Sequence, residues 1–65
     1  MTSTSVVKVM QADGHWMVES EYERAPYDSR QSAIAAAVHR AMEVGALLMI
    51  YEADGKLDAP VDFGE

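Results

Sequence analysis

Two histidines, eleven carboxylates and a handful of hydroxyls are the side chains of this chain that could do chemistry. His39 and Glu43 stand four apart, one turn of a helix, a spacing that can chelate a metal ion. They are two ligands of different hardness with no third beside them in sequence, and pairs of this kind are ordinary features of a solvated helix surface. Glu19, Glu21 and Glu23 alternate as a row of carboxylates along one face of a strand. Such a row could take a cation or a basic partner, but charges are also what keeps an edge strand from pairing. Ser29 would be a nucleophile only beside a base; there is no Gly-x-Ser-x-Gly elbow, and a helix N-cap role accounts for it. Trp16 and Tyr22 share a strand face and could stack on a ligand, although core packing suits so large an aromatic area better. His15 follows a turn and is expected to face solvent. No phosphate loop, dinucleotide fingerprint or catalytic triad is present, and a chain this short has little room for a pocket of roughly 300 Å³. The expectation is therefore a protein that is not an enzyme, with no catalytic, cofactor-binding or metal-ligating residues and no cofactor.

The elements that carry these residues follow from local pattern. "VVKVMQ" is short and β-branched and predicts a strand. Asp13-Gly14 supplies turn chemistry, since both residues tolerate a left-handed backbone. "HWMVESEY" alternates, with Trp16, Val18, Ser20 and Tyr22 on one side and His15, Met17, Glu19 and Glu21 on the other. In "ERAPYDS" Pro26 argues against a strand, so the segment is expected to be a connection. Asp28 and Ser29 are both good N-caps, and Ser29 is preferred. A helix, "RQSAIAAAVHRAMEV", runs from there to Val44, with no acid in its first turn to complement its dipole. Ala33, Ile34, Ala37, Val38, Ala41 and Val44 fall on one stripe, whose small residues let the helix approach a sheet closely. Gly45 is the C′ residue. "ALLMIYE", apolar on both faces, predicts a central or doubly covered strand. The second Ala-Asp-Gly, at Asp54-Gly55, repeats only the turn chemistry of the first, because His-Trp-Met-Val follows one and Lys-Leu-Asp-Ala the other.

The expected fold class is α+β. Its order is β-β-α-β, with a three-stranded, mainly antiparallel sheet in the order 2-1-3 and one helix packed on one face; the order 1-2-3 is the alternative. Residues 6–57 would form a single domain, between a disordered N-terminus at 1–5 and an acidic C-terminal tail at 58–65. The segment "KLDAPVDFGE" carries Pro60 and lacks periodicity; a short edge strand around Lys56 and Leu57 is the alternative to its simply trailing off.

At whole-domain scale the sequence resembles the small bacterial domain-of-unknown-function family 2188. The resemblance is carried by Trp16 in the hairpin, the Asp28-Ser29 cap, Ala33-Ile34-Ala35-Ala36-Ala37 in the helix, Gly45, Leu48-Met49-Ile50, and the closing Asp54-Gly55-Lys56-Leu57. It departs from the family pattern at His15, where a second Gly is usual, at Tyr51-Glu52, where His-Gly is common, and at Ser32, where the capping position has no acid. The resemblance implies the fold and a bacterial or phage setting, and it implies no catalytic residue.

Size and charge restrict the partners. A chain of 65 residues seldom gains more than about 3–5 kcal/mol from one core unless something staples it. The chain has no cysteine, which removes disulfides and leaves oligomerisation as the open route. With a formal net charge of −6 and scattered basic residues, nucleic acid and anionic membranes are disfavoured partners. "MTSTSVVKVM" has no basic leader or signal-length apolar stretch, so a soluble cytoplasmic protein is expected. One helix can cover only one side of the sheet, so apolar residues among Val6, Met10, Met17, Leu47 and Met49 would face the uncovered side. The expected function is a protein-interaction module acting as a homodimer through the sheet face or an edge strand. Val6, Met10, Met17 and Met49 are its candidate interaction residues, with an unknown protein as a further partner. The alternatives are a nucleic-acid-binding accessory protein or, less favoured, a small-ligand or metal binder.

Overall fold

The computed structural model describes residues 5–21 and 23–64, in the order β1 (Val6–Ala12), β2 (His15–Glu19), β3 (Arg24–Tyr27), α1 (Arg30–Val44), β4 (Leu47–Tyr51) and β5 (Leu57–Asp62). The fold is α+β, one helix on a mixed sheet of order β3-β2-β1-β4-β5. Asp13 and Gly14 both adopt positive φ, 53° and 79°, the requirement of the two-residue turn that best matches strand twist. That turn sets the register of β1 against β2, from Ala12 opposite His15 down to Lys8 opposite Glu19.

The expected sheet is corrected in strand number and in direction. The sheet has five strands rather than three. The expected 2-1-3 order survives as its centre, β2-β1-β4, but β1 and β4 are parallel, so the sheet is not antiparallel throughout. The cause is β3. "RAPY" pairs antiparallel with β2 and reverses the chain once more before the helix. The crossover therefore brings β4 back along the direction of β1 instead of against it.

Pro26 does not prevent this strand. It stands opposite Met17 on the sheet edge, where its ring nitrogen points outward and no ladder donor is lost. The same holds at the other edge. Residues 58–62, expected in an acidic tail, form most of β5, which runs antiparallel to β4 with Pro60 opposite Met49. An irregularity in register at Ile50/Tyr51 breaks the alternation that would have revealed this strand. Of the segment 1–5 expected to be disordered, residues 1–4 lie outside the described residues. The Ser5 carbonyl accepts a 2.9 Å hydrogen bond from the Leu47 N–H.

The helix begins and ends where its caps dictate. The Ser29 hydroxyl accepts from the Ser32 N–H at 3.1 Å. Gly45, at φ 67°, closes the other end, and Ala46 N–H donates back to the Ala41 carbonyl at 2.8 Å. The first turn has no acid and the last turn no base, so the cap is the main terminal stabiliser. Ser29→Ala is expected to cost about 0.5–2 kcal/mol, which for a domain of this size lowers the melting midpoint by several degrees. A thermal melt checks this, with Ser29→Asp as the variant that keeps the midpoint.

Ala33, Ala37 and Ala41 are fully buried and sit over Val7, Val9, Val18 and Leu48, with Ala46 at the helix exit. Ile34 and Val38 flank this core. Val44, expected in the stripe, is instead 51% exposed, because it falls in the last turn, where the helix leaves the sheet. Trp16, Tyr27, Ile50 and Phe63 close the rim. The Arg30 guanidinium lies 5.8 Å from the centre of the Trp16 ring and bridges to Asp58 on β5 at 3.1 Å. Trp16 is thus part of the packing, with a cation on it, and is not an open stacking platform.

Candidate functional site

Strand alternation assigns each side chain to one face of the sheet. Buried Val7, Val9, Val18 and Leu48 define the helix side. Val6, Lys8 and Met10 of β1, Met17 and Glu19 of β2, and Leu47 and Met49 of β4 therefore lie on the opposite, helix-free side, and all seven are half-buried. The four candidate interaction residues, Val6, Met10, Met17 and Met49, are brought together on this face. Tyr51 joins them at the end of β4, where it and Met10 flank a shallow cavity of about 250 Å³.

The face is ordered in cross-strand rows. One runs Pro26, Met17, Met10. The next runs Arg24, Glu19, Lys8, Met49, Pro60. A third holds Val6, Leu47 and Asp62. The middle row introduces charge that strand-by-strand reading missed, since it depends on which residues stand opposite each other. Arg24 Nε and Glu19 Oε2 are 3.2 Å apart. Lys8 stands directly across from Glu19, yet among the described residues it belongs to no ion pair. The C-terminal segment extends the sheet as β5 and does not roof this face.

The carboxylate row of Glu19, Glu21 and Glu23 is not assembled. β2 ends at Glu19, and Glu23 pairs with Arg40 on the helix at 3.1 Å. Tyr22 lies outside the described residues. His39 and Glu43 are exposed and line an open groove of about 320 Å³ between the helix and β3, together with Tyr27 and Arg40. The size of the chain does not, after all, preclude a volume of this order, but the floor is Val18, Ala25 and Ala36, and Arg40 is held by Glu23 and, at 3.9 Å, by Glu43. Among the described residues no three His, Cys, Asp or Glu side chains gather to hold a metal. The Ser29 hydroxyl is engaged at the helix cap and with the Ser32 hydroxyl at 3.1 Å, while His15 is exposed at the hairpin. Exposed Met42, Leu57 and Val61 were not anticipated. Val61 lies on the helix side of β5, opposite Leu48 of β4, and is 40% exposed.

These features define a small α+β domain, a single helix against a five-stranded mixed sheet whose other, mainly apolar face is left uncovered by the described residues. The chain belongs to the family of uncharacterised proteins conserved in bacteria, DUF2188, whose pattern matches residues 7–60, from β1 to within β5. Neither the curated proteins nor the solved structures yielded a match. No helix among the described residues is long and apolar enough to cross a membrane.

Proposed function

We propose that this domain is a non-enzymatic protein-interaction module that acts as a homodimer through its helix-free sheet face. One observation carries this reading: Val6, Met10, Met17, Leu47 and Met49 are gathered, half-buried, on a sheet face that no element of the described residues covers. Burying a side chain of this type is worth roughly 1.5–3 kcal/mol, a substantial gain for a domain with a small core. A non-enzymatic role is supported by the separation of the reactive groups, with His15 on the hairpin, His39 on the helix flank and Ser29 engaged as a cap.

The face is small. Five strands of about five residues span on the order of 400 Å², whereas stable interfaces bury about 800 Å² per partner. The dimer is therefore expected to be weak and concentration-dependent. Sedimentation equilibrium at physiological ionic strength should show the mass rising from one chain, 7.1 kDa, towards two as concentration increases. A mass of one chain throughout the micromolar range defeats the proposal.

A further inference from the structure

Resting on the dimer reading above, we infer that the second copy docks in one register, with Lys8 set against Glu19 of its partner and Met10 against the partner's Met17. Three features of the sheet lead there. The first is that its edges are closed to strand addition. Pro26 and Pro60 each occupy an edge strand opposite a methionine, Met17 and Met49. Each proline leaves the outer border without one of the donors a new strand would need. A second copy must therefore come to the face.

The second feature is charge. The helix-free face is mainly apolar, but its middle row alternates in sign as Arg24, Glu19, Lys8. Glu19 is drawn to Arg24 at 3.2 Å, leaving the half-buried Lys8 outside the ion pairs of the described residues. Whatever covers Lys8 must bring an acceptor or strand an ammonium in an apolar interface. A second copy brings Glu19.

The third feature is symmetry. Two sheets packed face to face by a two-fold operation have their axis in the plane of the interface. An axis along the strands, midway between β1 and β2, places β1 of one copy over β2 of the other. Lys8 and Glu19 are directly opposite each other across that line, as are Met10 and Met17. The single operation therefore forms two Lys8–Glu19 pairs and two Met10–Met17 contacts at once. It also keeps the strands of the two sheets within the roughly 30° of alignment usual for such packing. An isologous contact of this kind closes at two copies.

Charge exchange and site-specific cross-linking test the register. Lys8→Glu and Glu19→Lys are each expected to raise the dimer dissociation constant by about tenfold or more, since like charges then face each other across the interface. The double variant K8E/E19K should recover most of this loss, stopping short of the wild-type value because E19K also removes the carboxylate that holds Arg24. Circular dichroism confirms that each variant is folded. Because the chain has no cysteine, Met10→Cys and Met17→Cys can be made singly, and an oxidised mixture of the two should cross-link faster than either alone. This second measurement needs no charge change and stands if a charge variant fails to fold. Equal cross-linking in the mixture and in the single variants, or a double variant no tighter than its parents, overturns the register while leaving the dimer standing. A wild-type protein that stays monomeric overturns both.

Discussion

Leu48→Ala is expected to leave the chain largely unfolded at room temperature. Leu48 is 1% exposed and is the largest fully buried side chain among the described residues. It projects from β4, between β1 and β5 in the sheet, into the space shared with Val7, Val9 and the helix alanines. Truncating a buried leucine costs about 2–5 kcal/mol, from lost transfer energy and from the cavity left behind. A single core of this size seldom supplies more than about 3–5 kcal/mol in total. The two ranges overlap, so one substitution can consume the whole margin. Dimerisation adds stability by mass action, and the variant should therefore recover some structure as concentration rises. Circular dichroism and amide chemical-shift dispersion measure the outcome. Leu48→Met, which nearly conserves volume and costs less than about 1.5 kcal/mol, should remain folded. A cooperative melt of Leu48→Ala close to that of the wild type would show that the core is not centred on this residue.

Ala37→Leu is the second large effect, and it acts by the opposite route. Ala33, Ala37 and Ala41 are each 0% exposed, and their methyl groups set the distance between helix and sheet. A leucine at the middle position has no space to enter, and the helix must lift or the strands must spread. Overpacking of this sort costs about 1–3 kcal/mol, again a large share of the margin. Ala35→Leu provides the control. Ala35 is on the exposed side of the same helix, where the change alters helix propensity by only a few tenths of a kcal/mol. Urea denaturation should show a much lower midpoint for the first variant and a nearly unchanged one for the second. Equal midpoints would mean that the alanine stripe reflects propensity rather than fit.

Much of the scaffold was legible because its signals are local. The helix runs from Arg30 to Val44, the bounds its cap and its C′ glycine imply, and the Asp13-Gly14 turn yields the expected hairpin. What escaped was non-local. "RAPY" is four residues long and contains a proline, so by itself it reads as a break; it is a strand only because β2 offers it an edge. β5 is hidden by Pro60, by its acids and by the irregular register beside Tyr51. Missing β3 also inverted the direction of the last crossover, since each added strand reverses the chain. One unrecognised element thus turned a parallel neighbour into an expected antiparallel one.

The helix-free face divides in the same way. Val6, Met10, Met17 and Met49 follow from alternation, which requires only that β1, β2 and β4 exist. The juxtaposition of Lys8 with Glu19 requires the hairpin register, and the union of Glu19 with Arg24 requires β3. Glu23 shows the reverse case. Its spacing suggests that it shares a face with Glu19, but the chain leaves β2 before reaching it, and its carboxylate finds Arg40 on the helix.

The Arg30 side chain spans from the Trp16 ring to Asp58, joining the hairpin, the helix start and the last strand in one contact set. β5 is held by its ladder to β4, by this guanidinium at its start and, just past its end, by the Phe63 N–H, which donates to the Ala46 carbonyl at 3.0 Å, and the Phe63 side chain packed on the core. The final strand is thus sewn along one side and fastened at both ends, an arrangement that ties the last border of the sheet to the entrance and the exit of the helix alike.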